Sequence, residues 1–431
     1  MKLQKYNPLK PYLLLWGTQS LSALGSAMTG YALILWLYRQ SGSALETALL
    51  SICSYAPYVL ASIFAGALSD GWSKKRTMLV CDLLAALSTV GVLVLLKSGQ
   101  LAPWHMYLLN ALNGLMNTVQ QPASDVAATL LVPKEYYQKT SGLRSFSSSL
   151  NTILHPVLAS ALFAFFGMEW VIAVDLLTFA AAFVSLLCFI SIPEQPRDSR
   201  TREKLLQSVK SGLSWLKANP LILNLILFLA FINLVASAYN AALPAMLLSR
   251  ENGGETVLGL VNGMVGAASL VGGLIVTLLP APKDRVRVIC GSLMISMSTE
   301  NFLLAFGRTP WVWCLGAVLG WLAIPLMNAN LDVIFRSTIP ADIQGRIYSC
   351  RNTLQFFTIP VGYFLGGLLV DRVFEPLLAA APSQGLLVGL FGAGKGSGAA
   401  ALFFVLGLAG VAVCLVFYPI LRRFRWTEPK S

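Results

Sequence analysis

Twelve stretches of roughly 20 apolar residues, parted by short polar intervals, decide what this chain can fold into, because each is long enough to cross a bilayer as a helix. They lie near 12–38, 47–69, 77–96, 104–131, 142–166 and 170–192, and again near 220–248, 256–279, 286–306, 311–336, 343–370 and 399–421. A soluble chain carries about 25% charged residues. Here the figure is 12%, with a mean hydropathy of +0.68, so the solvent around most of the chain is lipid. The first stretch is too long and too rich in Trp and Tyr for a cleaved signal peptide, and no small-residue cleavage site follows it.

The two sets of six are copies of one design. Asp125-Val126 leads to Val132-Pro133-Lys134-Glu135, and Asp332-Val333 leads to Ile339-Pro340-Ala341-Asp342, an offset of 207 that Arg144 and Arg351 keep. Glu46-Thr47 recurs as Glu255-Thr256 at 209. Such internal repetition predicts an all-α polytopic membrane protein whose twelve transmembrane helices form two pseudo-symmetric six-helix halves. The halves are expected at 1–192 and 220–431, with 193–219 as a cytoplasmic linker. In that linker Leu205, Val209, Leu213 and Leu216 follow helical spacing among Arg202, Lys204, Lys210 and Lys217, which suits an amphipathic helix on the membrane surface. A tether of modest helicity is the other reading. The segment Asp371 to Gly398 is expected to be a partly ordered outer loop.

The net charge of +12 raises the question of nucleic acid, and the placement of the basic residues answers it. With the N-terminus inside, one face collects 25 of the 31 Lys and Arg, and the other keeps Arg39, Lys97, Arg250, Arg308, Arg372 and Lys395. This is the positive-inside bias; it puts both termini in the cytoplasm and leaves no role for nucleic acid. The seven cysteines are scattered through apolar segments without Cys-x-x-Cys spacing, which argues against a disulfide framework or a zinc site.

Polar side chains fall in stripes. Gln19, Ser22, Ser26 and Thr29 share one face of the first span, Asn110, Asn113, Asn117, Gln120 and Ser124 one face of the fourth, and Asn233, Ser237 and Asn240 one face of the seventh. An amide facing hydrocarbon is costly, so these faces must meet water or each other. A hydrated central cavity is expected, with Asn328 and the aromatic Trp16, Tyr31, Tyr239 and Trp321 completing an adaptable wall; helix-to-helix hydrogen bonding is the alternative.

Between the second and third spans stands Gly66-Ala67-Leu68-Ser69-Asp70-Gly71-Trp72-Ser73-Lys74-Lys75-Arg76. It resembles the loop signature of the major facilitator superfamily, Gly-x-x-x-Asp-Arg-x-Gly-Arg-Lys/Arg; Gly66, Asp70 and Lys75 match, while Gly71 and Ser73 replace Arg and Gly. The runs Ile339-Pro340-Ala341-Asp342-Ile343-Gln344-Gly345-Arg346-Ile347-Tyr348-Ser349 and Asp371-Arg372-Val373-Phe374-Glu375-Pro376 look like segments of its macrolide-efflux and siderophore-exporter branch. The resemblance implies a cytoplasmic gate in which Asp70, Lys74, Lys75 and Arg76 meet Asp125, Arg144, Arg346 and Arg351, with Asp332 and Arg336 as a second-half counterpart.

Proton coupling needs a titratable group inside the cavity, and Glu300, Asp175 and His155 are the candidates. The resembled fold keeps the sixth and ninth helices outside the inner ring, which gives Glu300 and Asp175 a structural alternative. His155 before Pro156 stands where proton-coupled drug exporters carry Gly. Gly389 with Gly394-Lys395 mimics a phosphate loop but has Gly396 where Ser or Thr would hold magnesium. With His105 and His155 as the two histidines and no Gly-x-Ser-x-Gly or His-Glu-x-x-His run, a membrane hydrolase has little support. The expectation is therefore a monomeric secondary transporter of the cell membrane, not an enzyme and without a cofactor. It works by alternating access on the proton gradient and exports amphipathic compounds such as macrolide-like drugs. A siderophore or metabolite exporter, a nutrient symporter, or a receptor or scaffold that transports nothing are the alternatives.

Overall fold

The computed structural model describes residues 9–70, 73–133, 136–193, 205–340 and 343–424, and every regular element among them is helical. Ten helices there are long and apolar enough to cross a membrane. Two more complete the twelve expected crossings: the 27-residue helix Ala44–Asp70, and Pro103–Leu131, whose amides dilute its hydropathy. In lipid the backbone must satisfy its own hydrogen bonds, which is why these stretches become helices. Large apolar side chains such as Phe165, Leu177, Leu274 and Trp311 stand outward and exposed, as a bilayer requires and water would not tolerate.

The chain divides into two compact units, one of residues 1–40 and 49–200, the other of residues 41–48 and 201–431. The first holds α1 (Lys10–Ser41), most of α2 (Ala44–Asp70), α3 (Lys74–Lys97), α4 (Pro103–Leu131), α5 (Tyr137–Phe166) and α6 (Met168–Val184), the last continued by one π turn, Ser185–Phe189. Here α3 packs on α4 and α6, and Met78, Ala123, Ala127, Leu186 and Ile190 form a buried cluster where those helices meet.

The second unit holds α7 (Leu205–Ala218), α8 (Pro220–Ser249), α9 (Glu255–Leu278), α10 (Arg285–Phe306), α11 (Pro310–Leu322), α12 (Ile324–Thr338), α13 (Gln344–Phe356), α14 (Thr358–Leu369), α15 (Glu375–Ala379), α16 (Leu386–Phe391) and α17 (Ser397–Arg422). Two expected crossings are each broken. Between α11 and α12, Pro325 has no N–H to give the Trp321 carbonyl, and Pro360 does the same to Phe356 between α13 and α14. The linker helix α7 docks on α13 and on the start of α8, with Leu216 fully buried and Leu213 exposed.

Small residues set the closest helix contacts. Gly362 and Gly366, one turn apart on α14, lie against the backbone of α8 at Leu234 and Ala238, and a Cβ on Gly366 would sit 2.6 Å from the Ala238 Cα. Thr358 Oγ1 donates to the Ala230 carbonyl at 2.8 Å on the same seam. Without a hydrophobic drive between helices in lipid, such backbone approach and interhelical hydrogen bonding supply the association.

The segment Asp371 to Gly398 is more helical than the partly ordered loop expected of it, with turns left at 380–385 and 392–396. The helix continues past Leu369 through a π turn at Val370–Phe374 into α15, because Glu375 accepts from the backbone N–H of Gly396 at 2.9 Å and folds the following chain back on it. Asp371 itself caps the start of α2. Its carboxylate accepts from Ser43 Oγ at 2.6 Å and from the backbone N–H groups of Ala44 at 3.0 Å and Leu45 at 2.9 Å, so residues 41–48 group with the second unit.

Candidate functional site

Both units place a buried carboxylate on their third membrane helix and tie it to their first and fourth. In the first unit it is Asp82 on α3. Oδ2 accepts from Gln19 Nε2 of α1 at 3.1 Å, and Oδ1 accepts from Gln120 Nε2 of α4 at 2.6 Å. In the second it is Glu300 on α10, whose Oε1 accepts from Tyr239 Oη of α8 at 2.6 Å and from Trp321 Nε1 of α11 at 3.1 Å. Gly320 gives Glu300 its room, since a Cβ there would lie 2.6 Å from the Glu300 Cβ. Donors gather on a carboxylate in a span because leaving it without any would be costly.

Asp82 is the buried acid that reading the sequence missed. It stands eight residues into α3, just past Lys74-Lys75-Arg76, and reads there as one more helix-end charge. The signal was available: an ionisable residue within an apolar stretch is a site candidate by default. What linear reading lacks is that Gln19 and Gln120, 101 residues apart, converge on it.

The third buried acid, Asp175 on α6, accepts from Ser26 Oγ of α1 at 2.9 Å and from Thr89 Oγ1 of α3 at 3.4 Å. His155 is half-buried, with Nδ1 2.7 Å from the Asn151 carbonyl and its ring edge-on to Tyr31.

The polar stripes divide between the two readings offered for them. Trp16 donates to the Leu143 carbonyl at 3.2 Å, Asn233 donates to the Gln355 carbonyl at 3.1 Å, and Gln19, Ser26, Gln120 and Trp321 are bonded to the three acids. Ser22 and Ser237 are buried. For the bonded side chains the stripe is helix-to-helix bonding, the alternative reading offered for it. Asn117, Asn240 and Asn328 stay exposed, and the Asn113 Oδ1 is buried without a partner among the described residues.

The gate residues show a similar split. Asp70 and Arg346 lie outside the residues whose side chains are described. Arg144 forms an ion pair with Asp125 within the first unit. Lys75 instead donates to the carbonyls of Leu187 at 3.0 Å and Ile190 at 2.7 Å, satisfying the end of the π turn after α6. Arg76 is exposed, and Lys74 is half-buried. Asp332 and Arg336 form no ion pair with each other: both are exposed on α12, where solvent offers little reason to hold two long side chains together. Arg351 of α13 donates to Gln355 Oε1 at 3.0 Å and lies 4.4 Å above the Phe335 ring. Among the described residues no three His, Cys, Asp or Glu side chains converge as a metal ion would need.

The family model described as Major Facilitator Superfamily matches residues 15–363. Macrolide efflux protein A of Streptococcus pyogenes is 24% identical over 376 residues, which is 86% of this chain and 92% of that protein. Enterobactin exporter EntS of Shigella boydii is 24% identical over 371 residues, 85% of this chain and 81% of its own. Among solved structures, an inward-facing bacterial homologue of the iron transporter ferroportin superposes with a TM-score of 0.69 at 16% identity, covering 97% of this chain and 99% of that one. A bacterial homologue of the lysosomal transporter Spinster gives 0.67 at 15%, covering 98% and 100%.

Proposed function

This chain belongs to the Major Facilitator Superfamily and is thus a multi-pass membrane transporter of small molecules rather than an enzyme, and from that premise we propose that it exports amphipathic compounds of the macrolide type by proton-coupled alternating access. The observation that carries the reading is the likeness to macrolide efflux protein A along 86% of the chain. The chemistry of the spans agrees with it. Exposed Asn117, Asn240 and Asn328 among apolar and aromatic surfaces suit a cargo with scattered hydrogen-bonding groups on an apolar body. Buried acids without a cation among their bonded partners, Glu300 and Asp175 first, are groups through which a proton gradient acts. The two halves are 1–192 and 220–431, the segment 193–219 links them in the cytoplasm with both termini, and the protein works as a monomer in the cell membrane. Asp70, Lys74, Lys75, Arg76, Arg346 and Arg351, with the paired Asp125 and Arg144 and the exposed Asp332 and Arg336, belong to its cytoplasmic closure.

The test is uptake of radiolabelled erythromycin into inside-out vesicles from cells with and without the protein, before and after the proton gradient is collapsed. Protein-dependent uptake that vanishes on collapse is the expected result, and its absence removes the reading. A siderophore exporter is the second reading, favoured by the likeness to enterobactin exporter EntS over 85% of the chain. Uptake of a catechol siderophore with none of erythromycin would decide for it.

A further inference from the structure

We propose that Asp82 is a proton-carrying group of the transport cycle and that Gln19 and Gln120 read its protonation state, an inference that rests on proton-coupled transport being correct. The three buried acids differ in one respect that matters here. Hydroxyl donors can reverse their role by rotation, so Ser26 and Thr89 can keep serving Asp175 whether or not it holds a proton. At Glu300 both donors converge on Oε1, which leaves Oε2 able to take a proton with no partner displaced. At Asp82 each oxygen is met by a separate amide NH2, a group that donates and cannot accept. Each oxygen keeps a second lone pair that a proton can take, but the amide facing that oxygen can receive the new O–H only by turning half round to present its Oε1. Satisfying a protonated Asp82 with these amides is therefore coupled to a change of side-chain conformation, and at the other two acids it need not be.

The surroundings leave the carboxylate dependent on those amides. From α1 comes Gln19 and from α4 Gln120. Asp125, five residues further along α4, is paired with Arg144 of α5. Lys75, seven residues or about 10 Å back along α3, spends its ammonium on the Leu187 carbonyl of the π turn after α6 and the Ile190 carbonyl just beyond it. Asp175 of α6 is held by Thr89, the same distance the other way. Cys81, the neighbour in sequence, is buried and free. The amides that would turn lie on α1 and α4, in the same stripes as Asn113 and exposed Asn117, so a proton event at Asp82 is passed to the face proposed to meet cargo.

The full-length protein, reconstituted into liposomes, allows a test by two readouts. Infrared difference spectra on acidification should show a protonated-carboxyl band together with a change in a side-chain amide band. Asp82→Asn should remove the first, and Gln120→Leu should diminish the second while the first remains. In erythromycin transport, Asp82→Asn should lose gradient-driven accumulation yet retain gradient-independent exchange, and Asp82→Glu should pump with a displaced pH profile, which a purely structural role would not produce. Asp82→Asn pumping like wild type, or a carboxyl band that survives the substitution unchanged, overturns the proposal. A wild type that exchanges erythromycin but ignores the gradient sinks the proton-coupled reading itself; if erythromycin is not carried at all, the cargo reading fails and the infrared arm decides.

Discussion

At Gly320 the absence of a side chain is what lets Glu300 sit inside the second unit. A Cβ 2.6 Å from the Glu300 Cβ cannot be absorbed by rotating a flexible tip, so Gly320→Ala should destabilise the protein by about 1–3 kcal/mol, the usual cost of overpacking. Gly291, on α10 with the same acid, has no atom within 4 Å of its would-be Cβ. There Gly291→Ala should be neutral or stabilising by up to about 1 kcal/mol, since alanine loses less chain entropy in a helix. Thermal unfolding of the two variants in detergent checks the pair, and equal melting temperatures would remove the packing argument. At this scale the residue types were readable from the sequence and their partners were not. Glu300 announces itself by its depth in an apolar run, whereas the value of Asp82 lies in two glutamines that only the fold brings to it.

Among the elements, α2 carries a cap from a residue more than three hundred positions away. Asp371→Ala removes the acceptor for Ser43 Oγ and for two backbone N–H groups, and loss of such a cap costs about 0.5–2 kcal/mol. The expected signature is local: faster hydrogen exchange at Ala44 and Leu45, with α3 and α4 unaffected. Exchange that stays slow would mean the helix start is held by something other than this carboxylate. At α12, Pro325→Ala restores a donor for the Trp321 carbonyl and should straighten the α11–α12 break, as spin labels at either end would report by a longer separation. The twelve crossings were legible because a bilayer enforces length and apolarity. Both breaks were written in the prolines yet hidden by continuous hydropathy, and Asp371 looked like loop because its charge masked a helix that the backbone continues.

For the whole molecule, alternating access predicts that one position is reached by water from both sides of the membrane in turn. In a variant lacking the seven native cysteines, Asn117→Cys and Asn240→Cys should react with a membrane-impermeant maleimide from either side; reactivity confined to one side, or absent, would contradict a carrier. The repeat at 207 made the doubled architecture visible in one dimension. It could not show which polar stripes are solvated, because exposed Asn117 and bonded Gln120 are alike in sequence and differ only in what the neighbouring helix presents. The seam of Gly362 and Gly366 against α8 has a mechanical corollary. Two rods touching along their spines, with no cushion of side chains between them, cannot roll past one another without collision. Whatever stroke this pump makes, α8 and α14 must swing as one beam, and the bending has to be found in joints such as the proline breaks at 325 and 360.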